Sequence, residues 1–416
     1  MPSRTVTPKA KRIVPAPTSA AASDADCFCG SPLNVCPDRI LATCHDLVGA
    51  TAIEVVVKRC GSRKCRTYHY PNYKILFGSK VNSIRLSAIP DEGVLFVNSW
   101  NCFTKRFLRY HVDMLYGSQV PSSAAVWGMR RIPGASVHSS YQSEELFRNA
   151  LHYFMQIDAL ESIGRHLNVH IGNDLNDTEI AMYKRHLIRN VFPPSDQSKV
   201  TELVGDGHVK VRVRGRCLDS KKKTKANKGR QNRSKAMKSK GKKGVSNGWF
   251  MLVDPASKKI VNVMEMKDRE NNAVVLNSLR EVLPMYTNCN AFIMDRCCQF
   301  YKMAMKENVC DQIKFYMIDK FHASLHVKTC KCSPLYVKTL KKRMKGVSGS
   351  ICEITFSWFR RYAKILNPMA ANRHRFVVLY LAHMHNQCVE ADDMSHMKEN
   401  FPARRRQRSV KPYGCR

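Results

Sequence analysis

The sequence predicts a mixed α/β protein, and three patterns along the chain indicate this class. From residue 205 onward the apolar patterns follow the order β, β, β, α, β, α, β, α, which is typical of a mixed sheet with flanking helices. Residues 27–133 instead contain short β runs separated by turn-forming residues, which predicts a small β-rich domain. Residues 140–192 have apolar positions at helical spacing and predict a helical segment.

Local patterns predict the individual elements of the α/β region. Val209–Val213 alternates apolar and basic residues, as a half-buried strand does. Gly248–Val253 and Lys259–Met266 flank the turn-forming residues 254–257 and predict a hairpin. The later predictions are a helix at Asn272–Leu283, a strand at Ala291–Met294, a helix at Gln299–Lys306, a strand at Ile313–Ile318, and helices at Ile351–Leu366 and Arg373–His385.

Composition and periodicity also divide the chain into regions. In the first part, the predicted strands are Thr51–Lys58, Tyr73–Phe77 and Val94–Asn98, and the predicted helices are Glu144–Leu167 and Asp177–Val191. The predicted organisation is a disordered tail at 1–25, a β-rich cysteine-cluster domain at 26–133, a helical segment at 140–195, an α/β domain at 200–390 with a basic disordered insertion at 219–246, and a basic tail at 391–416.

The charge of the chain predicts a polyanionic partner. The 416 residues include 69 Lys and Arg against 33 Asp and Glu, a formal net charge of +36. Nucleic acid is the commonest partner of so basic a protein. The segment Lys221–Lys243 has almost no apolar residue to bury, which predicts a phosphate-binding or nuclear-import segment. A second basic run at Ala403–Arg408 also suggests nuclear import. The candidate phosphate-binding residues of the first run are Lys221, Lys222, Lys223, Arg230, Arg233, Lys242 and Lys243.

The sequence argues against a secreted or membrane-spanning protein. No stretch approaches the ~20 consecutive apolar residues that a membrane span needs. The first residues are basic but lack the apolar segment of a signal peptide. In an intracellular chain, 17 cysteines indicate metal ligands or buried thiols rather than disulfides.

Two close cysteine pairs predict a structural zinc site in the β-rich domain. Cys27 and Cys29 form one pair and Cys60 and Cys65 the other, and neighbouring glycines suit the turns that such pairs require. Their spacings differ from the usual C-x2-C, so other ligands stay open. The alternative ligands are Cys36, Cys44, Cys102 and His69.

A second cluster of candidate zinc ligands lies near the C-terminal end of the α/β region. His322 and His326 are four residues apart and share one face of a helix, and Cys330 and Cys332 follow shortly after. Four protein ligands would make this site structural. In the alternative interpretation, His322 serves a neighbouring acidic site and the thiols are buried.

Three carboxylates are candidates for a catalytic metal site. Asp206 lies beside the first predicted strand, Asp295 ends the fourth, and Glu353 opens a later helix. Neighbouring strands could bring the two aspartates together, and a helix packed on the sheet could supply the glutamate. Such a set can hold two divalent cations that activate an attacking oxygen and stabilise the leaving oxygen of a phosphodiester. Mg²⁺ prefers these hard oxygen ligands.

Several motifs resemble those of the KDZ (Kyakuja–Dileera–Zisupton) transposases. The run Cys352–Tyr362 followed by Asn372–Phe376 is similar to the C-terminal motif of that family. Asp206–Lys210 and Asp319–His322, with its downstream cysteines, resemble further family segments. The N-terminal cysteine region resembles the CxC-type cluster associated with these transposases. Related segments occur in a vertebrate HMG domain-containing protein, although this chain shows no HMG box.

The resemblance implies a ribonuclease-H-like fold that carries a DDE metal site for cutting and joining DNA with Mg²⁺ or Mn²⁺. Asp206 would be its first aspartate, Asp295 its second and Glu353 its helical glutamate, while Asp319 would be a reserve ligand or a supporting residue. Arg360 and Arg361, two turns beyond Glu353, could contact phosphates. Family transposases are generally much longer, which favours a truncated copy or a host gene derived from one.

The sequence is also compatible with a second class of function. In that alternative the chain is a non-catalytic, zinc-stabilised nuclear DNA-binding protein whose α/β domain is only a scaffold. An RNA-binding basic protein would fit the charge but would not explain the acids or the paired cysteines. A homo-oligomer is compatible with either of the two DNA-binding alternatives.

Overall fold

The structure is a computed structural model that describes residues 19–21, 26–47, 49–130, 143–212, 248–267, 271–307 and 310–394. Its chain forms two units. The first comprises Met1–Leu115 and Val120–Asn173, and the second comprises Tyr116–Gln119 and Asp174–Arg416. The insertion predicted at 219–246 lies outside the described residues, as do most of the two predicted tails.

Two five-stranded sheets form the β structure of the first unit. One sheet has the order β1-β4-β3-β10-β9, and the other has the order β2-β5-β6-β7-β8. The strands are β1 (Ser19–Ala21), β2 (Leu33–Val35), β3 (Ile40–Asp46), β4 (Gly49–Val56), β5 (Lys58–Cys60), β6 (Tyr68–His69), β7 (Tyr73–Leu76), β8 (Ser79–Asn82), β9 (Val94–Asn98) and β10 (Asn101–Thr104).

The side chain of Asn72 joins the two sheets of the first unit and contacts one of its helices. The helices here are α1 (Lys105–Ser118), which begins in this unit, α2 (Ser122–Met129) and α3 (Glu144–Glu161). The amide of Asn72 bonds both backbone groups of Phe96 on β9, at 2.7 and 3.1 Å. It also donates to the hydroxyl of Tyr153 on α3, which donates to Asn82 on β8 at 2.6 Å. These buried polar groups are satisfied, so they join the two sheets and hold α3 in place through Asn72 and Asn82.

The second unit is built on one five-stranded mixed sheet. Its strands are β11 (Glu202–His208), β12 (Gly248–Val253), β13 (Ile260–Met266), β14 (Ala291–Ile293) and β15 (Phe315–Met317), in the spatial order β13-β12-β11-β14-β15. The first three form an antiparallel meander. β14 runs parallel to β11, and β15 runs parallel to β14.

Helices cover both faces of this sheet. They are α4 (Asp177–Arg189), α5 (Pro194–Gln197), α6 (Asn272–Val282), α7 (Cys297–Glu307), α8 (Lys320–Ala323), α9 (Lys338–Arg343), α10 (Ile351–Phe359), α11 (Ala363–Leu366) and α12 (Ala371–Glu390). Among the helices of the described residues, none combines the length and apolarity of a membrane span.

Strand alternation separates the two faces. Leu203, Phe250 and Phe292 belong to a buried apolar cluster that they share with α6 and α7. Alternate residues along a strand point to opposite faces. The residues that alternate with these three along their strands therefore face α10. Cys352 of α10 donates its thiol hydrogen to the carbonyl of Val204 at 3.2 Å.

The predicted hairpin is confirmed as β12 and β13, and the predicted strands before Asp295 and Asp319 are present as β14 and β15. The strand predicted at Val209–Val213 was placed too late, because β11 occupies Glu202–His208 and leaves Val209 exposed. The helix predicted at Ile351–Leu366 is interrupted by a 3-10 turn at Arg360–Tyr362. The two helices predicted within 140–195 are present as α3 and α4, but they belong to different units.

We expect the close packing at Gly205 on β11 to be sensitive to substitution. A Cβ there would lie 2.7 Å from the ring of Phe250 and 3.0 Å from that of Phe292, both fully buried. Overpacking of this kind costs about 1–3 kcal/mol. Gly205→Ala should therefore lower the thermal unfolding midpoint of the protein. The control is Gly128→Ala on α2, where a Cβ meets open space; an equal midpoint in the two variants would contradict the packing.

Candidate functional site

The register of three parallel strands brings three aspartates to one edge of the second unit's sheet. Val204 of β11 pairs with Ile293 of β14, and Ile293 is the partner of Met317 on β15. Asp206, Asp295 and Asp319 each follow these paired residues by two positions. Because the side-chain period of a strand is two, all three aspartates face the side on which α10 packs.

Two of these aspartates contact one histidine. The Nδ1 atom of His322 lies 2.5 Å from an oxygen of Asp319 and 2.9 Å from an oxygen of Asp295. The other oxygen of Asp319 accepts hydrogen bonds from the backbone N–H groups of Phe321 and His322, at 2.6 and 3.1 Å. Asp319 is therefore the N-cap of α8 and holds His322 in place, whereas Asp295 keeps more of its carboxylate available.

The electrostatics of this group follow from burial and from its short contacts. Burial alone would lower the pKa of His322, but its bonds to Asp295 and Asp319 raise that pKa to about 10. Burial raises the pKa of Asp295, and the neighbouring Asp319 adds to this effect. Burial would also raise the pKa of Asp319, but its hydrogen bonds with His322 lower it. A charged imidazolium thus partly neutralises a concentrated pair of acids.

Helix α10 supplies a fourth carboxylate, Glu353, in its first turn. The chain reaches this position by a close approach at Gly349, where a Cβ would lie only 3.0 Å from the Cβ of Asp319. Partial burial raises the pKa of Glu353, against the attraction of His322, while the charges of Asp319 and Asp295 raise it further. Glu353 therefore lies within the electrostatic field of the aspartate group.

A buried thiol lies close to the whole predicted triad. Cys352 is 1% exposed, and its pKa is raised first by burial and then by the charges of Asp206, Asp295 and Glu353. The tightest group consists of Asp295, Asp319 and His322, whose ligand atoms lie within 4.8 Å of one another. Asp206 and Glu353 are not among its three members.

The ligand atoms of Asp295, Asp319 and His322 lie close enough together that this group could hold a metal ion. Carboxylate oxygens are the ligands that Mg²⁺ and Mn²⁺ prefer. Burial and the negative charges of neighbouring acids raise the pKa values of Asp295 and Glu353. The carboxylates of this site therefore repel one another. A bound cation would relieve this repulsion.

The four N-terminal cysteines predicted as a zinc site do converge. The sulfurs of Cys27 and Cys65 are 3.7 Å apart, and those of Cys29 and Cys60 are 3.4 Å apart. Tetrahedral zinc with Zn–S bonds of about 2.3 Å requires sulfur–sulfur distances of about 3.8 Å. The ligand atoms of all four lie within 4.8 Å of one another, so this cluster could hold a zinc ion.

Short turns deliver these four sulfurs. Cys27 and Cys29 precede β2, where Gly30 adopts a φ of +78° and donates its N–H to the carbonyl of Cys27. Cys60 ends β5 and pairs with Leu33 of β2, so strand pairing brings the two cysteine pairs together. Burial raises the pKa of the Cys60 thiol, and the backbone N–H of Ser62, which donates to its sulfur at 3.4 Å, opposes that rise.

The alternative ligands lie elsewhere in the first unit. Cys44 and Cys102 are paired residues of β3 and β10, and both are buried. His69 is buried on β6, and Cys36 follows β2. Within the described residues, the group of four converging ligands contains none of these side chains.

The second predicted zinc site requires a correction. His322 is bound to the aspartates, as described above. The backbone carbonyl of Cys332 accepts a hydrogen bond from Ile318, and its thiol bonds to Cys297. Cys298, which sequence reasoning missed, joins His326 and Cys330 instead. In the sequence, only the position of Cys298 three residues after Asp295 indicated that its thiol could lie near this site.

The candidate phosphate-binding residues fall into two groups. Lys221, Lys222, Lys223, Arg230, Arg233, Lys242 and Lys243 lie outside the described residues. Arg360 and Arg361 form the 3-10 turn after α10, where Arg360 is exposed and Arg361 is half-buried. Arg360 is close enough to His208, near the end of β11, for its charge to help lower the pKa of that histidine, after burial and Lys210.

No protein-family model, curated protein or solved structure matches this chain.

We expect zinc at the N-terminal cluster to depend on Cys60. Cys60→Ser removes one of four thiolates and should lower the zinc content of the purified protein by one equivalent, measured by atomic emission. Cys36→Ser changes a cysteine of the same unit that lies outside the cluster and should leave the zinc content unchanged. The four-cysteine assignment would be wrong if both variants kept all their zinc.

Proposed function

We propose that this chain is a DNA transposase-like protein of the DDE type, whose second unit cuts and joins DNA phosphodiesters. The observation that carries the proposal is the common register of Asp206, Asp295 and Asp319, onto which α10 brings Glu353. In this proposal Asp206, Asp295 and Glu353 hold the catalytic cations, and Asp319 positions His322. Its relationship is to the KDZ transposases, which the C-terminal motif resembles.

The topology of the sheet supports a ribonuclease-H-like fold. An antiparallel three-strand meander is followed by two strands that run parallel to its first strand, in the order β13-β12-β11-β14-β15. Acids on the central strand, on the next parallel strand and on a helix packed over them are the arrangement that the motif resemblance implies. Functional groups at the carboxyl ends of parallel strands are the general rule for open sheets of this kind.

The proposed reaction is an in-line displacement at phosphorus. The oxygen of water or of a DNA 3′-hydroxyl loses its proton and attacks the phosphorus. The bond from phosphorus to the 3′-oxygen of the attacked strand breaks, and that oxygen takes up a proton as it leaves. Two Mg²⁺ ions would supply Lewis acidity at both oxygens. The carboxylates of Asp206, Asp295 and Glu353 would provide hard ligands for them, and charged His322 would offset negative charge beside Asp295.

Basic side chains near the acids support DNA as the substrate. Asp295 is followed by exposed Arg296, and Asp319 is followed by exposed Lys320. Such residues bind phosphates without reading sequence, which suits an enzyme that acts on the backbone.

A second candidate function is a non-catalytic nuclear DNA-binding protein, and one observation favours it. His322 already pairs with Asp295 and Asp319, so an internal cation partly neutralises the acids. A scaffold that has lost its metal ions could be stabilised in this way. The two functions differ in one measurable property, which is metal-dependent cleavage.

We predict that Asp295→Asn abolishes cleavage of supercoiled DNA in the presence of Mg²⁺ or Mn²⁺. The amide keeps the shape of the side chain but removes the charge that holds a cation. Losing several kcal/mol of transition-state stabilisation corresponds to a rate reduction of roughly a thousandfold. DNA affinity, measured by fluorescence anisotropy, should be unchanged.

The matched control is Asp311→Asn, because Asp311 is exposed and precedes β15, at the opposite end of that strand from Asp319. This variant should cleave like the wild type. Undiminished cleavage by the Asp295→Asn protein would contradict the assignment of Asp295 as a ligand of the catalytic cations. A wild-type protein that binds DNA but never cleaves it would favour the scaffold.

We also predict that the basic segment contributes to DNA affinity through phosphate contacts. The double change Lys222→Gln and Lys223→Gln should reduce the slope of log affinity against log salt by about 0.9 per lost contact, or about 1.8 in total. The control changes Lys306→Gln and Lys314→Gln, two exposed lysines outside this segment, with the same loss of net charge. Equal slopes in the two double variants would show that the segment makes no phosphate contacts of its own.

A further inference from the structure

A cluster of two cysteines and one histidine lies beside the carboxylate site. Its three residues come from two separate segments of the chain. Cys298 is the second residue of α7, while His326 and Cys330 follow α8. The Nδ1 atom of His326 lies 3.8 Å from the sulfur of Cys298 and 3.7 Å from the sulfur of Cys330. His326 and Cys330 are 8% and 5% exposed, and Cys298 is half-buried.

Hydrogen bonding between these groups does not account for the arrangement. A single imidazole nitrogen carries either one N–H or one lone pair, so it cannot make a good hydrogen bond to two sulfurs at once. A metal ion resolves the competition, because it binds the nitrogen and both sulfurs together. Tetrahedral zinc with bonds of about 2.3 Å to sulfur and 2.0–2.1 Å to nitrogen requires sulfur–nitrogen distances of about 3.6 Å. The observed separations are close to this value.

We propose that Cys298, His326 and Cys330 bind a zinc ion, with a solvent molecule as the fourth ligand. The half-exposed side of the cluster, at Cys298, gives solvent access to that position. Thiolate and imidazole ligands select zinc over the hard cations that suit the neighbouring carboxylates. The two metal sites of this unit would thus differ in the chemistry of the ion they take.

The location of the zinc site gives it a positioning role. It would link the start of α7 to a segment 28 and more residues later, and so fix the loop that carries Asp295. The ring of His326 also makes a hydrogen bond to the backbone of Asp295. Partners of this kind orient a ligating histidine and transmit its position. Zinc binding itself does not depend on whether the carboxylate site cleaves DNA.

The first test uses two adjacent cysteines as a matched pair in the full chain. Cys298→Ser should lose one equivalent of zinc relative to the wild type. Cys297→Ser should lose none, because the thiol of Cys297 is buried and lies 3.7 Å from the carbonyl of Phe292, a contact that a hydroxyl can replace. Equal zinc content in the Cys298→Ser and wild-type proteins, or loss of zinc from Cys297→Ser, would overturn the proposed ligand set.

The first step of the second test leaves the second unit unaltered, so its outcome does not depend on how variants of that unit fold. In a Cys60→Ser/Cys65→Ser chain, the N-terminal cluster is removed and the proposed site is intact. One equivalent of Co²⁺ should then produce a thiolate-to-cobalt charge-transfer band and the visible absorption of tetrahedral cobalt. Adding Cys298→Ser should remove or strongly reduce that band. No charge-transfer band in the double variant would overturn the proposal.

Discussion

The parallel pairing of β11, β14 and β15 is the constraint on which the candidate site depends. A strand places alternate side chains on one face, so the pairing of Val204 with Ile293 and of Ile293 with Met317 determines where the residues two positions later lie. A slip of one residue in any strand would turn its aspartate toward α6 and α7. The apolar residues buried on that opposite face make such a slip costly.

Charge balance is the second requirement of the site. The chain carries a net charge of +36, yet four carboxylates gather at one edge of this sheet, and like charges at short range repel. His322 offsets part of that repulsion, and Asp319 holds it in place through the cap of α8. The zinc ion proposed at Cys298, His326 and Cys330 would brace the same loop from its other side.

Local signals in the sequence were enough to predict the hairpin of β12 and β13, the strands before Asp295 and Asp319, and the four cysteines of the N-terminal cluster. The position of β11 was harder, because Gly205 and Gly207 weaken its strand pattern while Val209–Val213 alternates well. Cys298 could not be assigned from spacing, because tertiary packing of α7 brings it to His326. α3 belongs to the first unit, where its Tyr153 makes long-range hydrogen bonds to Asn72 and Asn82, and local periodicity cannot reveal such contacts.

The most direct test of the central claim is calorimetric titration of the zinc-loaded protein with Mg²⁺ or Mn²⁺. The wild type would be compared with the Asp206→Ala/Asp295→Ala variant, in which two of the register-aligned acids are removed. If the carboxylates form a metal site, the wild type should bind the added cation saturably and the variant should not bind it. Equal weak binding in both proteins would contradict it and would leave the DNA-binding scaffold as the better description.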